Sequence, residues 1–233
     1  MNLKVNGLIT NDDDAPVYRD WFGMSATSPS DIIDQLPTTG EDVTVEVASD
    51  GGEVDAATQI AGALQQYKGQ VNVQILSNAY SAGTIVAMGG NKVQMAAGAK
   101  MMIHNSAAGA DGDYHDMNNA SEMLQKTNQS IAAMYAEKTG KPANDFLALM
   151  DKTTWLTADD AIELGLADEK INSNPVTATN SVNKLVPMNA INKLKSLIAE
   201  NKKLKQINES QPSEHEKLVQ AKLALLNKGD FNE

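Results

Sequence analysis

Apolar and polar residues alternate through Asp42-Val-Thr-Val-Glu-Val-Ala48, and Val71-Asn-Val-Gln-Ile-Leu76 reads the same way. A period of two is the mark of a strand with one face buried. Between these runs Val54 to Tyr67 has helical spacing that closes near Gly69, and Ser49-Asp-Gly-Gly52 reads as the turn that leads into it. The unit then repeats: a turn over residues 77–81 follows the second strand, and a helix starts at about Ala82. Lys92 to Met95 and Lys100 to Ile103 suit two further short strands. Upstream, Leu3, Val5 and Leu8 begin a strand that ends in the turn-rich Asn11 to Pro16. Ser28-Pro-Ser-Asp31 offers capping side chains ahead of Ile32, Ile33 and Leu36, a short amphipathic helix.

Downstream, the small and polar segment Asn105 to Asp113 reads as a loop or an extended edge. The spacing predicts a long helix from about Met117 to Thr139, with Met123, Leu124, Ile131, Met134 and Tyr135 on its apolar side and Gly140 closing it. Shorter helices follow over Asn144 to Met150 and Ala158 to Leu164, separated by Thr153 to Thr157, and Leu166-Ala-Asp168 starts a return strand. Strands alternating with helices predict an α/β sheet with parallel crossings, whose ligands gather at strand carboxyl ends.

Residues 1–171 make one domain, residues 172–186 a Ser, Thr, Asn and Pro-rich linker, and residues 187–233 a helical tail. In the tail Ile191, Leu194, Ile198, Leu204 and Ile207 form a narrow stripe, suited to about two heptads of coiled coil or to a scaffold-like arm. Pro212 breaks this helix, and Ser213 with Glu216 forms a capping box for the next one.

Charge sharpens the division. The net charge is −11, yet from Pro187 onward eight lysines stand against six acidic residues, so the negative charge lies in the first 186 residues. An acidic surface argues against nucleic acid as a generic partner. No apolar run reaches a membrane span, and the N-terminus lacks the basic-then-apolar order of a secretory signal, so a cytoplasmic location is expected. The chain has no cysteine and three histidines, which excludes a disulfide framework and disfavours a structural zinc site. No cofactor is implied, and no GxxxxGK[ST] loop for ATP occurs.

The candidate chemistry sits at predicted strand ends. Ser81, in Ser77-Asn-Ala-Tyr-Ser-Ala-Gly83, lies between a strand and a helix whose N-terminal dipole would favour a developing anion. It is equally readable as a small residue in a tight corner, because Ala79 stands where a GxSxG elbow has its first glycine. His104 ends the apolar run Met101-Met-Ile103; it is either a core-edge histidine or a general base working near neutral pH. His115 lies among Asp113, Tyr114 and Asp116 and His215 in the tail, both poorly placed for catalysis. Gly51-Gly52 supplies N–H groups unhindered by side chains, suited to an oxyanion hole or simply to a turn.

Four segments together resemble the ClpP-type serine peptidases, and among these the ClpP-like head-maturation proteases of tailed phages: residues 48–57, the stretch from Ser77 to Gly90, residues 100–109, and residues 153–168. They stand in the family's order and spacing across residues 1–171. The resemblance implies the ClpP/crotonase-like fold of repeated strand-strand-helix units, with the helix over 117–139 as a protruding handle. It implies Ser81 as nucleophile, His104 as general base, and Gly51 or Gly52 with the Ala82 N–H as oxyanion donors. Asn105, Ser106, Ala107 and Ala108 would bind a peptide substrate as an added strand.

The resemblance also implies a homo-oligomer of rings, heptameric or doubled, acting on capsid, scaffold or portal proteins in the host cytoplasm, with any ATP-driven unfolding left to a separate ATPase. Two positions depart from the pattern. Asp50 replaces the family's proline before Gly51-Gly52, and Thr153 falls in register with the triad acid. Asp151, two residues earlier, is the nearest carboxylate and is taken as the third member, with Thr153 the in-register alternative. An inactive assembly scaffold and a Ser-Lys signal-peptide-peptidase-like protease using Lys92 or Lys100 are the competing readings; crotonase-type enzymes share the fold but use no serine nucleophile.

Overall fold

The computed structural model describes residues 1–171 together with 193, 195–198 and 202. Contacts divide the chain into a unit Met1–Val176 and a unit Thr177–Glu233. In the second unit the described residues are helical and exposed, and Ser196 Oγ donates to the Lys193 carbonyl at 2.8 Å. The expected linker, the rest of the apolar stripe and the Ser213 and Glu216 capping box lie outside the described residues.

The first unit is built on an eight-stranded sheet. In chain order its elements are β1 (Asn2–Ile9), a π-helical turn (Val17–Trp21), β2 (Ala26–Thr27), α1 (Pro29–Ile33), β3 (Val43–Gly52), α2 (Val54–Gln66), β4 (Val71–Tyr80) and α3 (Ala82–Ala87). Then come β5 (Lys92–Met95), β6 (Lys100–Ile103), α4 (Tyr114–Thr139), α5 (Ala143–Asp151), β7 (Thr154–Thr157), α6 (Ala158–Leu164) and β8 (Glu169–Lys170). The strands run in the order β2-β1-β3-β4-β5-β8 with parallel pairing; β6 pairs with the far half of β4, and β7 runs antiparallel to β6.

The alternation in β3 and β4 does what it predicts, burying Val43, Val45 and Val47 and, on the neighbouring strand, Val71, Val73 and Ile75. Each such side chain contributes about 1.5–3 kcal/mol through the area it removes from water. Helix α2 lays Ala56, Ala57, Ile60, Ala61 and Leu64 on the sheet, and α3 is buried on all sides. Helix α4 buries only Ile131, Ala132 and Tyr135, near its C-terminal end. Its last turn is fastened by Lys138, whose ammonium reaches the Gly90 and Asn91 carbonyls and the Asp168 carboxylate.

Two expected turns are strand instead. Residues 77–80 continue β4 because they pair with β6, Asn78 with Lys100 through Tyr80 with Met102. Residues 49–52 continue β3 beside β1, with Gly52 opposite Ile9 and Gly51 opposite Leu8. Glycine here serves close approach rather than chain reversal, since a Cβ on Gly52 would stand 1.9 Å from the Ile9 carbonyl oxygen. The segment Thr154–Thr157, expected only as a separator, is a strand paired with the whole of β6.

Gly7 interrupts β1 with a φ of +73°, and the register slips between Asn6 and Leu8. A Cβ there would meet the Ser25 carbonyl oxygen at 2.1 Å, whereas one on Gly62, inside α2, would meet nothing within 4 Å. In urea unfolding, Gly62→Ala is expected to stabilise the fold by about 1 kcal/mol. Gly7→Ala should destabilise it by more than that gain; equal effects would mean that the β1 irregularity is not constrained as described.

Candidate active site

Ser81 occupies the single residue between β4 and α3, and its backbone has φ 52° and ψ −121°. An L-residue holds such a conformation at a cost of about 1–3 kcal/mol, and only when the surroundings over-determine it. They do so here on both sides. The Ser81 N–H donates to the Met102 carbonyl at 2.8 Å, and the Ser81 carbonyl accepts from the Thr84 N–H at 2.9 Å and the Thr84 hydroxyl at 2.6 Å. Gly51 lets the turn close, because a Cβ on it would fall 2.7 Å from Ser81 Cβ. The turn therefore projects the Ser81 side chain from a rigid frame.

His104 follows β6, and its Nε2 lies 2.8 Å from Ser81 Oγ. With Nε2 unprotonated the hydroxyl donates to it, the arrangement in which an imidazole can take the proton as Oγ attacks. This contact joins two residues 23 positions apart through the β4–β6 pairing. Lys92 is engaged elsewhere, bound to Glu169 at 2.8 Å. Among the described residues no ammonium bonds to Ser81, so the geometry favours histidine over the lysine alternative.

Asp151 is not brought to His104. It is the last residue of α5, its carboxylate accepts from the Asn105 side-chain amide at 2.8 Å, and no hydrogen bond or ion pair joins it to the imidazole. Only Lys152 and Thr153, the latter at φ 51°, separate α5 from β7, which leaves no loop to bulge toward the histidine. The β6–β7 register ends with Ile103 opposite Thr154, so one further step sets Thr153 across from His104. The in-register alternative is thus the residue that the extended register sets opposite His104, and it carries no charge.

The expected oxyanion donors divide. The Gly51 N–H is already committed to Ser49 Oγ at 3.0 Å, and that hydroxyl donates to the Gly7 carbonyl at 2.6 Å. Gly51 therefore serves as spacer and not as donor. Neither Gly52 nor Ala82 gives its N–H to a side chain among the described residues. Because α3 has six residues, little macrodipole stands behind Ala82, and individual N–H groups matter more than the helix as a whole.

The segment after His104 is only partly free. Ser106 is bound through its N–H (2.7 Å) and hydroxyl (2.8 Å) to the Asn128 side-chain oxygen on α4. Asn105 Oδ1 is buried without a partner, while Ala107 and Ala108 are exposed and belong to no strand. Of the four residues expected to bind substrate, Asn105 and Ser106 are thus tied down by side-chain bonds to Asp151 and Asn128. Tyr80 and Trp155 meet edge to face at 5.0 Å beside the serine, and Trp155 is 58 % exposed. No group of three or more His, Asp or Glu side chains among the described residues is placed to hold a metal ion.

Ser49, Thr84, Asn128 and Tyr135 were not expected in the site. Ser49 keeps the buried parity of Val43, Val45 and Val47, and Thr84 is the one hydroxyl in the apolar helix Ala82–Ala87, which are the traces they leave in sequence. Asn128 and Tyr135 leave none, since their partners lie 22 and 51 residues away.

The chain is similar to known proteins. A model of the Clp protease family matches residues 29–174. An ATP-dependent Clp protease proteolytic subunit from Streptococcus thermophilus is 30 % identical over 138 residues, covering 58 % of this chain and 70 % of that protein. A protein of the same name from Streptococcus pneumoniae is 30 % identical over 147 residues, covering 61 % of this chain and 72 % of its own length. With the family matched over more than half of its length, the chain belongs to the Clp protease family, the serine-type peptidases.

Proposed function

We propose that the chain is an endopeptidase in which Ser81 attacks the scissile carbonyl and His104 takes its proton. His104 then passes that proton to the leaving amine, and water repeats the sequence on the acyl-enzyme. The N–H groups of Gly52 and Ala82 hold the oxyanion of each tetrahedral intermediate. The observation that carries this reading is the 2.8 Å contact between His104 Nε2 and Ser81 Oγ at a backbone turn pinned from both sides. Asp151 has no part in orienting the imidazole; Thr153 stands in the acid's place, so the working unit is a dyad.

The wider role follows from the resemblance of the four segments and from the names of the relatives. The streptococcal proteins are proteolytic subunits of an ATP-dependent protease, which supports a ring-forming subunit that receives unfolded protein from a separate ATPase. The likeness to phage head-maturation proteases supports capsid or scaffold protein as the substrate, with the lysine-rich tail as an assembly arm. One observation favours a second reading, an inactive assembly protein: among the described residues no carboxylate is bonded to His104.

A fluorophosphonate probe separates the two. The full chain is expected to label at Ser81; Ser81→Ala should abolish labelling, and His104→Ala should slow it about a hundredfold or more. An unsubstituted chain that does not label is the inactive protein. Thr153→Asp is expected to raise the labelling rate, since aspartate tolerates a positive φ and would face the imidazole with a charge. Asp151→Asn should leave the rate within about threefold, and a loss of orders of magnitude there would return Asp151 to the mechanism.

A further inference from the structure

The nucleophile turn is tied to the far end of α4 through two buried hydroxyls. Thr84 is fully buried and Tyr135 is 2 % exposed, and their oxygens lie 2.6 Å apart. The Thr84 hydroxyl has one proton, and its 2.6 Å bond to the Ser81 carbonyl uses it. Tyr135 must then donate to Thr84, making a directed chain from phenol to hydroxyl to carbonyl. Burial raises the Tyr135 phenol to about 12 against the lowering effect of its Thr84 bond, so it remains a donor at any ordinary pH. Its ring is held against Phe146 of α5, with centroids 5.5 Å apart.

What the chain of bonds controls is the peptide between Ser81 and Ala82. A peptide unit is planar and trans, so its carbonyl and its N–H point in opposite directions. Drawing the Ser81 carbonyl inward, onto Thr84, turns the Ala82 N–H outward at the end of β4. The Thr84 N–H holds this carbonyl at 2.9 Å, a backbone bond of the first turn of α3, and the Thr84 hydroxyl adds a second and closer anchor at 2.6 Å. Bonds in series also polarise one another, so the Tyr135 donor strengthens the Thr84 bond to the carbonyl.

We propose that Thr84 and Tyr135 are positioning residues which, through the Ser81 carbonyl, aim the Ala82 N–H at the developing oxyanion. The inference rests on the reading of Ser81 as nucleophile. It makes the buried end of α4 part of the catalytic frame, although neither hydroxyl touches substrate. An effect on the oxyanion appears in the transition state and not in the ground state, so it lowers kcat and leaves KM in place.

The test uses the full chain, a fluorophosphonate probe for Ser81 and a fluorogenic peptide for steady-state rates. Loss of a whole oxyanion donor costs about a hundred- to a thousandfold, and a donor turned off line costs part of that. Thr84→Val is therefore expected to lower kcat and the labelling rate about tenfold with KM unchanged, and Tyr135→Phe about threefold. Thr84→Ser, which keeps the hydroxyl and loses the methyl, should restore near-unsubstituted rates. Adding Tyr135→Phe to Thr84→Val should change nothing further, because the relay is already broken.

The inference is wrong if Tyr135→Phe labels at the unsubstituted rate, or if Thr84→Ser loses as much as Thr84→Val, which would make the effect one of packing. A rise in KM without a fall in kcat overturns it as well. An unsubstituted chain that fails to label removes the nucleophile itself, a separate failure that takes the inference with it.

Discussion

One residue's backbone governs the rest. Ser81 is held at φ 52° by the Met102 carbonyl on one side and Thr84 on the other, at the one point where β4 becomes α3. Left to itself, an L-residue would relax out of this conformation. Keeping it there requires β6 to pair with the far half of β4 and requires glycine at position 51, where any Cβ would strike Ser81. The parallel sheet, the buried α3 and the fastened end of α4 are the structure that makes this strain tolerable. In return the serine hydroxyl points at His104 with its own peptide plane set for an anion.

The site departs from a full triad at its third member. An acid behind the histidine holds the imidazole in one tautomer and stabilises it when charged, and its loss in serine proteases costs about four orders of magnitude without abolishing turnover. Here Asp151 accepts a hydrogen bond from Asn105, and the extended β6–β7 register sets the uncharged Thr153 opposite His104. The burden of orientation shifts to the strand register that places His104 and to the hydrogen bonds that fix the serine turn. A peptidase of this kind is expected to be slow.

Much of this was legible in the residues, and the failures have physical reasons. Alternation identified β3, β4, β5 and β6 because one face of each is buried in the same core. Gly51-Gly52 looked like a turn because glycine usually marks chain reversal; in this fold it marks two backbones pressed together, against Ile9 on one side and Ser81 on the other. The strand Thr154–Thr157 is short and rich in threonine, so its pairing with β6 could be seen only in three dimensions. Ser81 and His104 stand out in the sequence because each follows a readable strand. Asp151 was chosen for its charge, but register favours Thr153, and Tyr135 could not be tied to the turn because nothing local connects positions 51 residues apart.

The central claim is that Ser81 and the Ala82 peptide form one rigid catalytic unit with His104. It is tested most directly by a crystal structure of the full chain after reaction with a fluorophosphonate. The account predicts phosphorus on Ser81 Oγ, with the phosphonyl oxygen about 2.7–3.1 Å from the amide nitrogens of Ala82 and Gly52. The Ser81 carbonyl should still lie on the Thr84 hydroxyl, with His104 beside the adduct. An adduct on another residue, or a phosphonyl oxygen turned away from the Ala82 N–H, would contradict it.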